Sequence, residues 1–448
     1  MSVIAALGER IRSGFLRQFL GRETWALTDQ AVVSATNFLT NVMLLRFMGL
    51  REFGVFILAW MSVQFVNSLQ TALIIAPMMS ISPKQEEKDR PLYFGAVVTQ
   101  ELALVACCFV LVFVALKVSG TFFPHLDAEH LALLRSLALP LAVSAFAYQM
   151  QDFLRRYFFS TRQSRRAFAD DALSYLSQLP ILFLLHRAGH LNSANALWVM
   201  AGTSILGLAP WFFWMEPLVF NRQWIAAIAR RHWKISRWLG ASALLQWVSG
   251  NLFVIAAPVY YGAAAAGVLK ASQNLMGVTH VWFQGLDNVV PVETARHLRK
   301  GGVHSMLAYT RSILIKWGGL TLLFALVMSA APGFWLRLIY TPEMAQYGYI
   351  LRLYAILYVI VFIGGPLRAG LQALEYTVSI FWSYLAMAAF AFIFAVPMAK
   401  KLGLSGSMFG LFGTQILFQC IVGISLLIKS RKVARETAGS PQSSLGTN

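Results

Sequence analysis

The chain is organised by long runs of apolar residues that are separated by short polar connections. A helical run of roughly 20 apolar residues is long enough to cross a hydrocarbon layer of about 30 Å. Backbone groups in lipid must be satisfied within their own segment, so each run is predicted to be an α-helix of an all-α integral membrane protein. The twelve predicted spans are 25–46, 53–80, 92–116, 131–157, 168–186, 195–220, 236–259, 263–290, 306–331, 344–366, 377–399 and 404–428.

The second half of the chain begins like the first half. A single alignment offset places Gly49 on Gly262 and Gly54 on Gly267. Both halves therefore open with a helix, a glycine-containing turn and a second helix. Because membrane transporters are often built from two such halves around a central site, the pattern predicts two six-helix bundles.

The polar segments suggest where the halves begin and end. Residues 25–220 and 238–428 are the predicted bundles, and the basic segment 221–237 between them is expected to be a cytoplasmic linker. Residues 1–24 combine helically spaced apolar side chains with arginines, a pattern that predicts a basic amphipathic helix on the cytoplasmic side. The alternative is that this segment is only a basic flank that orients the first membrane span. Residues 429–448 are expected to be a disordered cytoplasmic tail.

Composition and charge agree with a membrane protein. The chain is 58% hydrophobic and 12% charged, with a mean hydropathy of +0.61 and a net charge of +18. The basic residues concentrate in alternate connections, so the positive-inside rule places these connections and both termini in the cytoplasm. The basic charge is thus explained by membrane orientation, and membrane lipids rather than nucleic acid are the expected partners.

No motif predicts catalysis or metal binding. The three cysteines, Cys107, Cys108 and Cys420, lie inside apolar runs and offer no disulfide framework or metal-ligand spacing. There is no phosphate-binding loop, nucleophile elbow or cluster of histidine and cysteine. The sequence therefore predicts no catalytic residues, no bound metal and no enzyme activity.

Polar residues at membrane depth are the candidates for function, and Lys270 is the clearest of them. A charge at the centre of a bilayer costs at least about 2.5–3.5 kcal/mol, so it usually faces a water-filled cavity or a partner. Lys270 is either a cation for an anionic substrate or one half of a structural ion pair. His280 either titrates near neutral pH or is a packing contact. Helical spacing predicts one polar face that contains Lys270, Gln273, Asn274, Gly277, His280, Gln284 and Asp287.

Other polar residues extend the predicted substrate cavity. Predicted helices one and two carry amides at helical spacing. Two arginines occupy matching places in helices four and ten, where they either ring the mouth of a cavity or reach to the membrane surface. These further candidates are Asn37, Asn41, Gln64, Asn67, Arg135 and Arg352.

Three acidic residues are candidates for binding a coupling cation or proton: Asp29, Glu101 and Asp287. For Asp29 and Glu101 the alternative is a structural hydrogen-bonding role. Asp152 lies one helical turn from Arg155, so an intrahelical ion pair is expected to account for it.

Residues 28–60 resemble the opening helix pair of bacterial polysaccharide flippases. The resemblance rests on Asp29-Gln30, on Ser34 to Phe38 and on the turn from Arg46 to Gly54. These flippases belong to the multidrug/oligosaccharidyl-lipid/polysaccharide (MOP) exporter superfamily. The resemblance implies two six-helix bundles in the bacterial inner membrane that alternate access to a lipid-diphosphate-linked oligosaccharide. The lipid would move from the inner to the outer leaflet.

The resemblance also implies the partners. The substrate would be a repeat unit of an exopolysaccharide, capsule or O-antigen, with a polysaccharide polymerase and export machinery acting beside the flippase. A proton, a sodium ion or the membrane potential would drive transport, without a bound cofactor. A cation-coupled multidrug exporter of the same superfamily is the first alternative, which Lys270 argues against. A membrane-embedded polymerase or glycosyltransferase is the second, which the few acids in outer loops argue against.

Overall fold

The computed structural model describes residues 22–122 and 128–439, which form helices joined by short turns, with no strand in either range. Contacts within the chain divide it after Leu244 into two compact units. Of the amphipathic segment expected at 1–24, the first 21 residues lie outside the described residues.

The first unit is built around buried aromatic side chains. The rings of Phe94 and Tyr157 meet edge to face with their centroids 4.7 Å apart, and both are almost completely buried. Such contacts between two long apolar helices bury area and fix their relative position. The helices are α1 (Arg22–Met48), α2 (Leu50–Gln70, extended by a π-helical turn and a further helical segment to Ile81), α3 (Arg90–Lys117), α4 (Ala128–Ser160), α5 (Ser164–Arg187) and α6 (Ser193–Gly207).

The second unit contains two long helices that bend at glycines. The first bends at Gly301 and Gly302, and the second bends at Gly403. Gly302 and Gly403 have positive φ angles, which only glycine adopts readily. The helices are α7 (Arg222–Tyr261, within which the division between units falls), α8 (Ala263–Met276), α9 (His280–Ala330), α10 (Gly348–Ala373) and α11 (Val378–Gly439).

Within the described ranges, eight helical stretches are long and apolar enough to cross a membrane, and two of them contain these bends. The predicted spans 168–186 and 195–220 are not among the eight. Helix α5 carries Asp170 and Asp171 near its start, and α6 ends at Gly207, before the short helix Ala209–Trp214. The first of these segments is thus more polar than its apolar residues suggested, and the helix in the second is shorter than the predicted span.

Helices also extend beyond their predicted ends. The expected linker 221–237 lies almost entirely within α7, and α11 continues to Gly439 although residues after 428 were expected to be disordered. Both extensions are rich in Lys, Arg and Ala, which have high helix propensity. The polar residues in these segments therefore do not end the helices.

The two glycine turns that align in the sequence have the same backbone conformation. Gly49 has φ 78° and ψ 171°, and Gly262 has φ 72° and ψ 171°. Each glycine directly precedes the second helix of its half, α2 or α8. The resemblance between the halves is therefore present in the geometry of these turns.

We expect Gly49→Ala and Gly262→Ala each to lower the free energy of unfolding by about 1–2 kcal/mol, because L-residues are strained at positive φ. No neighbouring atom lies within 4 Å of the position of the added methyl group in either case, so crowding would not contribute. Thermal unfolding in detergent measures the change. Gly250→Ala is the matched control, since Gly250 is helical with equally open surroundings, and it should stabilise. An equal loss in all three variants would contradict the argument.

Candidate functional site

In the second unit, Lys270 begins a chain of polar side chains that joins three helices. Its Nζ donates a hydrogen bond to Oε1 of Gln273 at 3.1 Å. Gln273 is hydrogen-bonded to the hydroxyl of Tyr358 on α10. Nε2 of His280, the first residue of α9, lies 3.4 Å from the same hydroxyl oxygen. We call Lys270, Gln273, Tyr358 and His280 the lysine chain.

Asn274 lies one residue further along α8 and is held by a buried tyrosine. Its Nδ2 donates to the hydroxyl of Tyr340 at 3.1 Å, and that hydroxyl donates to the carbonyl oxygen of Ala271 at 3.1 Å. Tyr340 is 2% exposed. The tyrosine therefore fixes the orientation of Asn274 beside the lysine chain.

The charge of Lys270 has no acidic partner within the described ranges: no carboxylate oxygen lies within 4.0 Å of its Nζ. The structural ion pair considered for this residue is therefore not found there. Its one hydrogen-bond acceptor is the neutral side chain of Gln273. A half-buried ammonium group with two further donors remains able to bind an anion.

The single polar face predicted over residues 270–287 is wrong in one respect. Gly277–Thr279 forms a short 3-10 turn between α8 and α9. A 3-10 helix has about 3.0 residues per turn instead of 3.6, so the residues after it are rotated relative to those before it. His280 still contacts the lysine chain through the hydroxyl of Tyr358. Gln284 and Asp287 lie further along α9, on a face that is rotated away from the polar face of α8.

Asp287 lies at a small cavity between α9 and α10. Its Oδ1 is 3.7 Å from the position that a Cβ of Gly365 would occupy, so the absent side chain leaves room for the carboxylate. The cavity has a volume of about 70 Å³, and its lining includes Asp287, Phe283 and Arg368. Arg368 donates a hydrogen bond to the hydroxyl of Tyr384 at 3.2 Å. Asp287 and Arg368 thus line the same cavity from two helices, while Gln284 is exposed.

In the first unit, one buried arginine is shared by three carboxylates. Arg155 Nη2 donates to Asp29 Oδ2 at 2.7 Å, and its Nε lies 2.5 Å from Asp171 Oδ2. The expected intrahelical pair with Asp152 is present, but at 3.9 Å it is the longest of the three contacts. Contacts with α1 and α5, rather than with its own helix, therefore hold the guanidinium.

Amide side chains extend this cluster to α3. Gln70 Nε2 lies 2.7 Å from Oε1 of Glu101 and 2.7 Å from the carbonyl oxygen of Gln149. Asn67 Nδ2 lies 3.3 Å from Asp152 Oδ2 and 3.2 Å from Oε1 of Gln149. We call the whole set the acidic network: Asp29, Asn67, Gln70, Glu101, Gln149, Gln151, Asp152, Arg155, Asp170 and Asp171.

The acidic network has more carboxyl groups than cations. It contains five acids but one arginine, Arg155, which contacts three of them. A second arginine, Arg156, lies at its edge, with its Nε 3.5 Å from Asp152 Oδ1. Asp170 is completely buried, and neither of its oxygens has a hydrogen-bond partner in the described chain. Buried carboxylates without partners are normally neutralised by a proton or a cation. The arrangement can therefore hold at least one of these.

Asp170 and Asp171 are functional candidates that were not predicted from the sequence. The available signal was a pair of adjacent acids at the start of the apolar run 168–186. Asp171 accepts a hydrogen bond from Gln151 Nε2 at 2.6 Å, and Asp170 Oδ1 lies against Gly207 of α6. The packing of α5 against α4 and α6 therefore turns two residues at a helix start into interior groups.

The other amides predicted for the cavity have separate places in the first unit. Asn41 Nδ2 donates to the carbonyl oxygen of Asn37, one turn earlier, at 2.8 Å. Gln64 is hydrogen-bonded to the side chain of Tyr148. Among the four candidate amides of α1 and α2 that the structure describes, Asn67 is the one that hydrogen-bonds into the acidic network.

The two arginines predicted at a cavity mouth are both exposed. Nη2 of Arg135 is 3.1 Å from the position that a Cβ of Gly120 would occupy, and Nε of Arg352 donates to the carbonyl oxygen of Ser329 at 3.3 Å. Arg352 thus bonds to the backbone at the end of α9 and does not join the lysine chain.

The described residues contain no group of three or more His, Cys, Asp or Glu side chains that could hold a metal ion. Cys107, Cys108 and Cys420 are free thiols.

Solved structures of transporters match almost the whole chain. A eukaryotic MATE transporter, AtDTX14, has a TM-score of 0.61 at 13% identity, over 94% of this chain and 99% of that chain. An inward-facing multidrug resistance MATE family transporter of the MOP superfamily has a TM-score of 0.64 at 13% identity, over 94% and 96%. A MOP superfamily transporter from Pyrococcus furiosus Vc1 has a TM-score of 0.60 at 13% identity, over 92% and 95%.

Sequence comparison adds nothing to this likeness: no protein-family model and no curated protein matches the chain. At 13% identity, the agreement with solved structures concerns the fold. The agreement extends over more than nine tenths of the chain in each of these cases. Together with the eight long apolar helices, it shows an all-α multi-pass membrane protein. The chain therefore has the fold of the MATE transporters of the MOP superfamily.

Proposed function

We propose that this protein is a transporter that moves a lipid-diphosphate-linked oligosaccharide from the inner to the outer leaflet of the bacterial inner membrane. The observation that carries the proposal is the ammonium group of Lys270, which has no carboxylate partner among the described residues. The transporter fold supports alternating access, and the resemblance at residues 28–60 supports the substrate class. A polysaccharide polymerase and export machinery would act beside it.

The lysine chain has the chemistry that such a substrate needs. A diphosphate is an anion, and a hydrogen bond between an ammonium group and a phosphate oxygen is roughly twice as strong as a neutral one. Asn274, His280 and Tyr358 add neutral donors and acceptors that suit sugar hydroxyl groups. Arg135, Arg352 and the amides of α1 and α2 remain predicted contributors to the cavity.

The acidic network supplies a means of coupling. Its carboxyl groups outnumber its guanidinium groups, so a proton or a sodium ion would neutralise the excess charge. Release of that ion would change the hydrogen bonds that join α1, α4 and α5. Asp29 and Glu101 are part of this network, and Asp170 joins them as the acid without a partner in the described chain.

We expect Asp170→Asn to separate coupling from folding. Asparagine has the same shape but carries no charge to neutralise, so the unfolding temperature should change by only a few degrees. Transport that depends on a proton or sodium gradient should fall by about tenfold, an effect of 1.4 kcal/mol. The measurement is gradient-driven transport by the purified variant in vesicles. Full gradient dependence in the variant would remove Asp170 from the coupling step.

The acidic network also favours a second candidate function. Buried carboxylates can attract a cationic drug, and one of the similar structures is described as a multidrug resistance transporter. Another is described by a reversed polarity of its binding pocket, which suggested a different function for that protein. The polarity of the pocket therefore differs among proteins of this fold, and Lys270 is the residue that favours an anion here.

Reconstitution of the purified protein into vesicles distinguishes the two functions. A short-chain lipid-diphosphate oligosaccharide is placed in one leaflet, and an added sugar-modifying enzyme reports its appearance in the other. Translocation faster than in protein-free vesicles is the expected result. If the lipid stays in its leaflet while a cationic dye moves under a proton or sodium gradient, the flippase proposal is wrong and the drug exporter is supported.

A further inference from the structure

Helix α9 carries a groove immediately after its glycine bend. The groove has a volume of about 680 Å³. Seven residues line it, and all lie within a short part of one helix. They are His304, Leu307, Ala308, Arg311, Ser312, Ile315 and Lys316, which we call the α9 groove.

Three of these side chains are basic, and all three are exposed: His304, Arg311 and Lys316. None has a carboxylate oxygen within 4.0 Å in the part of the chain that the structure describes. Leu307, Ala308 and Ile315 provide an apolar surface beside them. The α9 groove therefore combines unpaired positive charges with an apolar surface that can contact an acyl chain.

The cations lie at two depths along the helix. At a rise of about 1.5 Å per residue, Arg311 is about 14 Å and Lys316 about 21 Å beyond the bend at Gly302. Helical side chains point toward the N-terminus of their helix, and a lysine stem is long. Lys316 can therefore direct its ammonium group back to the depth of Arg311, from a position about 140° around the helix.

The surface beyond the groove resembles a helix face in contact with lipid. Leu322, Leu323 and Leu326 follow Lys316 within the next three turns and are 48%, 59% and 58% exposed. A lysine that opens onto such a surface is costly in hydrocarbon unless it reaches an anion or the membrane surface. The apolar surroundings thus point to an anionic group that is itself attached to hydrocarbon.

We propose that the α9 groove binds an anionic phospholipid of the cytoplasmic leaflet. Arg311 and Lys316 would hold its phosphate, and an acyl chain would lie along Leu307 and Ile315. The bend carries further basic residues, Arg299 and Lys300, which the positive-inside rule places on the cytoplasmic side. Basic pockets at this level of membrane helices are suited to anionic headgroups. The inference does not depend on which substrate the protein transports.

Native mass spectrometry of the full chain, exchanged into detergent with phosphatidylglycerol or phosphatidylcholine, tests the proposal. We expect the wild-type protein to retain phosphatidylglycerol in preference to phosphatidylcholine. The double variant Arg311→Gln/Lys316→Gln should retain at least fivefold less phosphatidylglycerol. The charge-conserving variant Arg311→Lys/Lys316→Arg should retain most of it, which separates loss of binding from misfolding.

The matched control is Lys400→Gln/Lys401→Gln, which removes two exposed charges from the connection at the bend of α11. Retention that is equal in the wild type and the groove variant would overturn the proposal, and so would an equal loss in the control. Displacement of the lipid by millimolar glycerol phosphate would identify a site for free anions instead. Stronger retention of a polyprenyl phosphate than of phosphatidylglycerol would overturn the phospholipid assignment.

Discussion

The variant Lys270→Gln is expected to transport a lipid-diphosphate oligosaccharide at least ten times more slowly than the wild type. The substitution removes the charge but keeps a hydrogen-bonding side chain of similar length. A hydrogen bond to a charged group contributes about 1.5–3 kcal/mol, which corresponds to roughly 10- to 150-fold. Lys270→Arg should retain part of the activity because it keeps the positive charge. Initial translocation rates in vesicles of equal protein content measure the difference.

Two controls make this result specific to the anion. Lys401→Gln removes an exposed lysine from the second unit and should leave the rate unchanged. A lipid-linked sugar without phosphate groups should be moved at the same rate by the wild type and by Lys270→Gln, if it is moved at all. A wild-type rate of diphosphate-lipid transport in Lys270→Gln would remove Lys270 from the substrate site.

Replacement of Arg155 by methionine is expected to lower the free energy of unfolding by about 3–5 kcal/mol. Methionine keeps much of the volume but leaves Asp29 and Asp171, both completely buried, without their cation. Removing one partner of a buried ion pair is costly because the remaining charge stays desolvated. We expect a markedly lower unfolding temperature in detergent and a lower yield of monodisperse protein.

Arg156→Met is the matched control, because Arg156 is the next residue of the same helix. Its side chain is 38% exposed, and its closest carboxylate contact, to Asp152, is 3.5 Å. The expected loss of stability is below about 1 kcal/mol. Adding Asp29→Asn and Asp171→Asn to Arg155→Met should restore part of the stability. Equal losses for the two arginine variants would show that the carboxylates do not depend on Arg155.

Much of the architecture follows from local sequence. Apolar runs of sufficient length must be helical in lipid, so the positions of most helices were predictable from residue type alone. The matching turns at Gly49 and Gly262 were also visible, because a positive φ angle favours glycine. Lys270 was identifiable as a candidate because a lysine in a long apolar run is unusual by itself.

Distant contacts decided the rest. The sequence identified Asp29 and Glu101, but not that Asp29 shares Arg155 with Asp171, a residue more than a hundred positions away. Tyr358 was not recognised as a partner of the lysine chain, since a tyrosine in an apolar run resembles any other packing residue. Tyr340, the partner of Asn274, lies between two predicted spans, where no contact with a membrane helix was expected.

The packing of the helices against each other also decided which polar side chains are buried. Asp170 and Asp171 stand near the start of a helix, where charge is common, yet they are completely buried because α5 packs against α4 and α6. The 3-10 turn at Gly277–Thr279 likewise divides a face that looked continuous by helical spacing. Residue type and spacing determine which segments are helices and which side chains carry charge. Only tertiary packing determines which charges lose water and which partners compensate them.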